Sequence, residues 1–286
     1  MKSTLFKSIV FIAVTVTLAA QDPAPPPQRI TLPFSDPSRP KSLIVDIPMG
    51  SVKITGYDGN DAVVEYSGRG EGLRRKAREG DVPAGMHRLD QPLNTVDATQ
   101  ENNVVRVKGG FWGRLNIEIK VPKQTTLDLK TMNGSISVEG ISGEMTIDAM
   151  NGHINVQDAS GSVVAHSMNG RIVASLTQVS AAKASSFSSM NGSIEVTLPA
   201  DLKARLKMKT DRGEIYTDFN VKVESATGPT ASTPIAQDGA RKTGLPGLPN
   251  LPSLPHLDRT LYGTINGGGP EMQFITYNGR IVIRKK

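Results

Sequence analysis

The chain has 286 residues, no cysteine and a formal net charge of +6, a length that suits one large domain or two small ones. The lack of cysteine excludes disulfides, thiol catalysis and lipid attachment through an N-terminal cysteine. The basic bias is mild and aromatic residues make up only 5% of the chain, so nucleic acid is not an expected partner.

Residues 1–20 are predicted to be a secretory signal peptide. Lys2 and Lys7 give a charged start, residues 9–18 are apolar, and Ala19 and Ala20 are small residues at a cleavage site. The apolar run is shorter than the roughly 20 residues that a membrane-spanning helix needs, although a retained anchor is the alternative. We expect an exported protein, periplasmic or extracellular, with no transmembrane span after signal removal.

Residues 21–40 are rich in proline and predict an extended, poorly ordered lead-in. Residues 41–286 are predicted to form a single β-repeat domain, because alternation of apolar and polar residues, typical of half-buried strands, begins at Leu43. Two insertions, at about 68–103 and 224–258, interrupt this alternation. We interpret the first as a long exposed loop.

Both insertions contain a distinctive cluster. The first holds a basic group that could form an anion-binding loop: Arg74, Arg75, Lys76 and Arg78. The second holds the Leu-Pro segment, residues 245–255, in which a Leu-Pro pair starts at Leu245, Leu248, Leu251 and Leu254. Proline donates no backbone hydrogen bond, so this segment is predicted to be flexible or polyproline-like rather than part of a sheet.

The centre of the chain is an internal repeat. Glycines recur every nine residues from Gly134 to Gly170, and Asn-Gly marks every second unit, giving a period of 18. Apolar residues stand at the second and fourth positions after each glycine, as in Ile136 and Val138. Each unit therefore predicts a short strand and a turn that exploits positive φ. The predicted turn residues are Asn133, Gly134, Asn151, Gly152, Asn169, Gly170, Asn191, Gly192, Asn278 and Gly279.

Two all-β topologies satisfy this pattern. In a β-solenoid with 18-residue coils, equivalent strands stack in parallel, the asparagines form an amide ladder, and the methionines before them line one edge of the core. In an antiparallel sandwich or barrel, Asn-Gly forms hairpin turns, and Ala149 pairs with Ile154. The solenoid is favoured because it closes its own core and explains why Met and Asn repeat along with Gly.

The phrases MNGSISVEG, MNGHINVQD, MNGRIVASL and MNGSIEVTL, with the closing GTINGGGPEMQFITYNGRIVI, resemble the putative-adhesin family of bacterial β-strand-repeat proteins. LIVDIPMGSVKITGYDG resembles the opening segment of that family. The resemblance covers roughly residues 40–286 apart from the two insertions. It implies an exported or membrane-tethered domain of unknown function, and it supplies no catalytic motif.

No catalytic, cofactor or metal site is predicted. The four histidines, His87, His153, His166 and His256, lack metal-ligand spacing. Asp58, Asn60 and Asp61 offer too few oxygen ligands for calcium and instead predict a hairpin turn. The outward acids Glu139, Glu144, Asp148 and Glu195 fall on different strands, whereas glycoside hydrolysis needs paired carboxylates.

These observations favour a noncatalytic envelope or surface interaction module, whose partner is an unidentified glycan, lipid or protein. The alternatives are a polysaccharide-active enzyme and a sensing or regulatory partner of a membrane protein.

Overall fold

The computed structural model describes residues 27–36, 38–69, 96–110, 114–224 and 260–286. All regular secondary structure in these ranges is β-strand, and none of these residues forms a helix long and apolar enough to cross a membrane. The predicted signal peptide, the basic cluster at residues 74–78 and the Leu-Pro segment lie outside the described residues and stay predictions.

Nineteen strands are described. They are β1 (Gln28–Pro33), β2 (Lys41–Tyr57), β3 (Asp61–Arg69), β4 (Val96–Glu101), β5 (Val104–Gly109), β6 (Arg114–Pro122), β7 (Thr125–Asn133), β8 (Ile136–Glu139), β9 (Ser142–Asn151), β10 (Ile154–Asn169), β11 (Ile172–Val179), β12 (Ser185–Asn191), β13 (Ile194–Leu198), β14 (Ala204–Arg212), β15 (Ile215–Thr217), β16 (Lys222–Glu224), β17 (Leu261–Ile265), β18 (Glu271–Asn278) and β19 (Ile281–Lys285).

The strands pair in two parallel ladders. The first ladder consists of the strands that precede each Asn-Gly corner or its equivalent. Its spatial order is β5, β2, β7, β9, β10, β12, β18, β14. The strands after the corner form the second ladder, with the order β6, β2, β8, β10, β11, β13, β19, β15.

The long strands β2 and β10 turn a corner and pair in both ladders. With β7, β8 and β9 they close a ring of parallel strands, and further strands extend from it. Antiparallel strands cover the ends: β4 pairs with β5, β3 with β6, β1 with β3, β17 with β14, and β16 with β17. The domain is therefore all-β and solenoid-like.

The register decides between the two predicted topologies. Ile154 lies opposite both Ile136 and Ile172 in parallel strands, so residues 18 apart lie side by side. The hairpin alternative for the repeat is wrong, because Ala149 lies opposite Thr131 and Ser167 rather than Ile154. Parallel pairing puts identical residues in contact, which explains why whole phrases recur.

The core is one continuous apolar interior between the ladders. The residues predicted to face inward are buried, including Ile136, Val138, Ile154 and Val156, each no more than 1% exposed. Residues that alternate with them face outward. The alternation therefore gives the two ladders one shared apolar core, and the chain has no cysteine with which to form a disulfide.

The stacking order departs from the order of the sequence at both ends. Strands β18 and β19, the last of the chain, lie between β12–β13 and β14–β15. Phe274 of β18 stacks on Phe187 of β12, with ring centroids 5.5 Å apart and an interplanar angle of 10°. At the other end, β5 and β6 lie outside β2 although they follow it in sequence.

Three interpretations of connecting segments need correction. Gln28–Pro33 was predicted to belong to a poorly ordered lead-in, but it forms β1 because Ile30 and Leu32 pack against the core. Val96–Glu101, predicted to be loop, forms β4 and pairs with β5. Asp58–Asn60 is not a hairpin turn, because β2 and β3 lie on opposite edges of β6.

The corner glycines are needed for close approach rather than for positive φ. None of the glycines of the five Asn-Gly pairs at the corner has positive φ, whereas Gly267, in the separate pair Asn266-Gly267, has a φ of 87°. A Cβ on Gly152 would lie 1.6 Å from the carbonyl oxygen of Gly134, and one on Gly170 would lie 2.0 Å from that of Gly152. The column continues through Gly50, Gly134, Gly152, Gly170, Gly192, Gly279 and Gly213. The absence of a side chain at each glycine thus lets adjacent coils approach to the distance between hydrogen-bonded strands.

We predict that Gly152→Ala destabilises the domain by at least about 2 kcal/mol, because two backbones would have to separate to admit the methyl group. Chemical denaturation followed by circular dichroism measures the change. The control is Ser137→Ala at an outward position on β8, which should stay within about 0.5 kcal/mol of wild type. Equal effects of the two substitutions would contradict the close-approach explanation.

Candidate binding surface at the Asn-Gly corner

The asparagines at the corner form a continuous amide ladder. Asn151 Nδ2 donates to Asn133 Oδ1 at 3.1 Å, and Asn169 Nδ2 donates to Asn151 Oδ1 at 2.8 Å. The chain of bonds continues through Asn191 and Asn278, at 2.8 Å each. The C-terminal strand β18 therefore joins the same ladder as the central repeat.

A second column of polar contacts lies just inside the corner and was missed by the sequence analysis. Ser167 Oγ donates to the Gly152 carbonyl oxygen at 3.1 Å, and Ser189 Oγ donates to that of Gly170 at 3.1 Å. Thr276 and Thr210 repeat this contact at 3.0 Å. These buried hydroxyls satisfy glycine carbonyls at the turn. The sequence signal is a Ser or Thr three residues before the corner glycine.

The methionine of each repeat lies outside the core. We define the methionine stripe as Met132, Met150, Met168, Met190 and Tyr277, five side chains on successive strands that are each between 40% and 51% exposed. The expectation that the methionines line the core is wrong. Thr131 and its equivalents take the inward position, so the next residue must face solvent before the chain turns.

A shallow groove of about 340 Å³ runs beside the first three methionines. Its remaining lining includes charged or titratable side chains of the neighbouring outward row: Asp46, Lys130, Asp148 and His166. Positive and negative groups alternate along this row, since Lys130 lies between Asp46 and Asp148. The groove is thus apolar along one side and of mixed charge along the other.

A wider groove of about 540 Å³ continues the stripe toward the C-terminal end of the stack. Met190 and Tyr277 lie on one side, and Tyr262 of β17 lies on the other. Lys207 and Lys209 of β14 contribute to the lining. Arg212 lies over the Tyr277 ring, with its guanidinium carbon 5.7 Å from the ring centroid. Two exposed tyrosines and several cations therefore border this end of the stripe.

A family model described as Toastrack DUF4097 matches residues 41–234, more than half of the chain. The chain belongs to the Toastrack DUF4097 family. The resemblance to an adhesin-like domain of unknown function is thereby confirmed. A crystal structure of a putative cell adhesion protein from Clostridium sporogenes is similar over 91% of this chain and 100% of that chain, with 11% identity and a TM-score of 0.36. No curated protein matches the sequence.

The second ladder of the Toastrack domain presents a different surface. Its outward column is polar and consists of Ser135, His153, Arg171 and Ser193, of which the last three are joined by hydrogen bonds. The Arg171 backbone N–H donates to His153 Nδ1 at 3.1 Å, and Arg171 Nε donates to Ser193 Oγ at 3.0 Å. The Glu214 carboxylate accepts a hydrogen bond from Tyr216 and raises the pKa of that phenol.

The candidate chemical groups of the Toastrack domain do not converge. Glu144 pairs with Lys183, and Glu195 lies 3.2 Å from Arg280 Nη2. Asp58 pairs with Lys123 at 2.8 Å, so its carboxylate is engaged with a cation. The two described histidines are on different ladders. His153 comes directly after the Asn151-Gly152 corner, in the outward column of the second ladder, whereas His166 lies in the first ladder and is hydrogen-bonded to Ser188 at 2.8 Å. Among the residues that the structure describes, no three His, Asp or Glu side chains gather as metal ligands.

We predict that Asn151→Ala lowers the free energy of unfolding by about 1 kcal/mol, because it removes a donor to Asn133 and an acceptor for Asn169. Thermal and urea denaturation measure the change. Asn155→Ala, at an outward position on the second ladder, is the matched control and should have a smaller effect. A loss at Asn155 equal to that at Asn151 would argue against a stabilising ladder.

Proposed function

We propose that this Toastrack domain is a noncatalytic, exported interaction module of the cell envelope or surface, adhesin-like in its mode of action. The observation that supports the proposal most strongly is the methionine stripe. Five large side chains stand in a row on successive strands and each keeps at least 40% of its surface in solvent. Contiguous exposed apolar surface on a folded domain commonly marks an interaction site.

The stripe has the dimensions and chemistry of a binding surface. Neighbouring strands lie about 4.8 Å apart, so its five members span about 19 Å. Methionine is unbranched and polarisable, so a row of methionines can adapt to the shape of a partner. The core stays closed beneath it, since Ala149 and Ser167, the residues that precede Met150 and Met168, are buried. A partner could therefore bind without opening the fold.

The proposal of export rests on the sequence. Residues 1–20 have the charged start, apolar run and small-residue end of a signal peptide. A fold held by strand ladders and an apolar core needs no disulfide to persist outside the cytoplasm. The basic cluster at Arg74, Arg75, Lys76 and Arg78 would add an electrostatic contact with an anionic envelope surface.

A binding role is also supported by the ion pairs and the positions of the outward acidic side chains. Glu144 and Glu195 are each paired with a cation, and Glu139 and Asp148 lie on different ladders. Paired carboxylates across a groove, which a glycoside hydrolase uses, would require a different placement of these side chains. The expected partner is a glycan, a lipid or a protein of the envelope.

We predict that the triple substitution Met132→Ser, Met150→Ser and Met168→Ser weakens retention of the purified protein on its binding target by at least about tenfold. The probes are isolated peptidoglycan, vesicles of zwitterionic and of anionic phospholipid, and immobilised envelope proteins. The matched control carries Ser135→Ala, Asn155→Ala and Thr197→Ala on the second ladder. Undiminished retention of the stripe variant, or loss confined to the control, would refute the assignment of the stripe.

Export is tested separately. When the full chain is produced in a bacterial host, we expect the protein in the osmotic-shock or culture fraction, with Gln21 as the first residue by N-terminal sequencing. A variant lacking residues 1–20 should stay in the cytoplasm. Recovery of the uncleaved full chain from the cytoplasm would contradict the proposed location without bearing on the stripe.

A further inference from the structure

We propose that the outward face of the first ladder binds the same face of a second copy of this chain. The inference rests on the proposed function, because it names the partner of the surface that contains the methionine stripe. Two features of the described residues support it: the order of the charges across this face, and the area that the face offers to a partner.

The outward side chains of β5, β2, β7, β9, β10 and β12 form rows that run across the strands. The row beside the methionine stripe, which we call the charged row, consists in this strand order of Lys108, Asp46, Lys130, Asp148, His166 and Ser188. The next row, which we call the mixed row, consists of Arg106, Ile44, Asp128, Thr146, Val164 and Ser186. Positive and negative side chains thus alternate over the first four strands of the charged row.

This alternation is self-complementary about a twofold axis. An axis parallel to the strands and midway between β7 and β9 reverses the strand order in the second copy, and the interface is then isologous. It sets Lys130 opposite Asp148 of the second copy, and Asp148 opposite Lys130. Asp46 then lies opposite His166 of the second copy. An axis along β7 or β9 would instead set Lys130 or Asp148 opposite itself, and like charges that meet at an interface oppose association.

The apolar side chains of the face favour the same axis. In the stripe, Met132 then lies opposite Met150 of the second copy. In the mixed row, Ile44 lies opposite Val164, which is 43% exposed. An axis between β2 and β7 also opposes unlike charges in the charged row, but it would bury Ile44 against the Asp128 carboxylate, which costs free energy. The axis between β7 and β9 therefore satisfies all three rows.

The acidic members of the charged row are not engaged within their own chain. Asp46 and Asp148 form no ion pair with any residue in the described ranges. Lys130 lies 3.6 Å from Asp128 of its own strand, with 55% of its side chain exposed. His166 is hydrogen-bonded through Nδ1, so Nε2 is the ring nitrogen that meets Asp46 of the second copy. The charges of this row can therefore pair across the interface.

The face is large enough for a specific dimer. Six strands about 4.8 Å apart, each with about six residues of about 3.3 Å, give a face of roughly 29 by 20 Å, or about 600 Å² per copy before side-chain relief is counted. Specific interfaces bury a total of about 1,200–2,000 Å². Methionine side chains are unbranched and adaptable, so those of one copy can fill the groove of about 340 Å³ on the other. Two such faces therefore reach the lower end of the usual range.

The consequence is homotypic binding. In the complex, the methionine stripe and the charged row of each copy are covered by those of the other, while the apolar core of each domain stays closed. The proposed adhesin-like module would then hold together two molecules of the same protein, with no third component in the interface.

The test is sedimentation velocity of the purified mature chain at about 1 to 200 μM, with the charge reversals Lys130→Glu and Asp148→Lys. We expect the wild type to dimerise with a dissociation constant on the order of 10 μM. Each single variant sets like charges against each other twice in the dimer, so its dissociation constant should rise at least about tenfold. An equimolar mixture of the two variants should form a heterodimer nearly as tight as the wild-type dimer. The new glutamate of one variant then faces the new lysine of the other.

The matched controls carry the same charge changes on exposed positions of the second ladder, Lys120→Glu on β6 and Glu139→Lys on β8. Their dissociation constants should stay within about twofold of wild type. Recovery of the dimer on mixing also shows that both reversal variants are folded. A wild type that is monomeric at 200 μM would overturn the proposal, as would a dimer that neither reversal weakens. A mixture that stays monomeric would overturn it too, because the charges would then not face each other across this axis.

The two proposals fail in different ways. If the wild type is monomeric but the serine substitutions at Met132, Met150 and Met168 still weaken retention on peptidoglycan, vesicles or envelope proteins, the second copy is refuted as the partner and the proposed function stands. If the charge reversals abolish the dimer but those serine substitutions leave retention unchanged, the dimer stands and the stripe does not bind another envelope component.

Discussion

The close approach of backbones at the Asn-Gly corner is the constraint on which the rest of the structure depends. A corner glycine in one coil packs against the carbonyl of the glycine before it in the stack, with no room for a Cβ between them. This contact holds adjacent coils at hydrogen-bonding distance on both sides of the turn. The asparagine ladder on the outside and the serine and threonine hydroxyls on the inside then complete the polar contacts of the corner.

The exposed surface lies at the same corner. Strand alternation buries the residue two positions before each corner asparagine, namely Thr131, Ala149, Ser167, Ser189 or Thr276. The next side chain, methionine in four coils and Tyr277 in another, is forced outward. A repeated structural requirement thus produces a repeated apolar side chain at strand spacing. A row of this kind suits an extended partner better than a compact one, because its members are separated by a fixed interval.

Much of the fold could be predicted from the sequence because the pattern that encodes it is local. The period of 18, the inward pairs such as Ile136 and Val138, and the asparagine ladder all follow from residues within one or two repeats. The order of the coils could not be predicted, because it depends on contacts between distant segments. Strand β18 lies between β12 and β14 because of packing contacts such as that of Phe187 on Phe274. No short sequence motif predicts such a contact between distant segments.

The candidate surface was harder to predict than the fold. The sequence shows that the methionines recur, but period alone does not say whether a residue beside a turn faces inward. Assigning Met132 to the core ignored Thr131, which already occupies the inward position. Ser or Thr before Met-Asn-Gly is visible in three of the four central repeats, at Thr131, Ser167 and Ser189. At Ser167 and Ser189 the hydroxyl bonds a glycine carbonyl inside the corner, which would have indicated that the following methionine faces outward.

Disulfide trapping tests parallel stacking most directly, because the chain has no cysteine of its own. Ser142 and Ser160 face each other across β9 and β10, with their hydroxyl oxygens 2.7 Å apart. Cysteines at these positions should form a disulfide under mild oxidation, since adjacent strands place Cα atoms within the range that the bond requires. Cysteines at Asp148 and Asn155, which a hairpin at Asn151-Gly152 would bring together, should remain reduced. Cross-linking of the second pair but not the first would contradict the stacked corner.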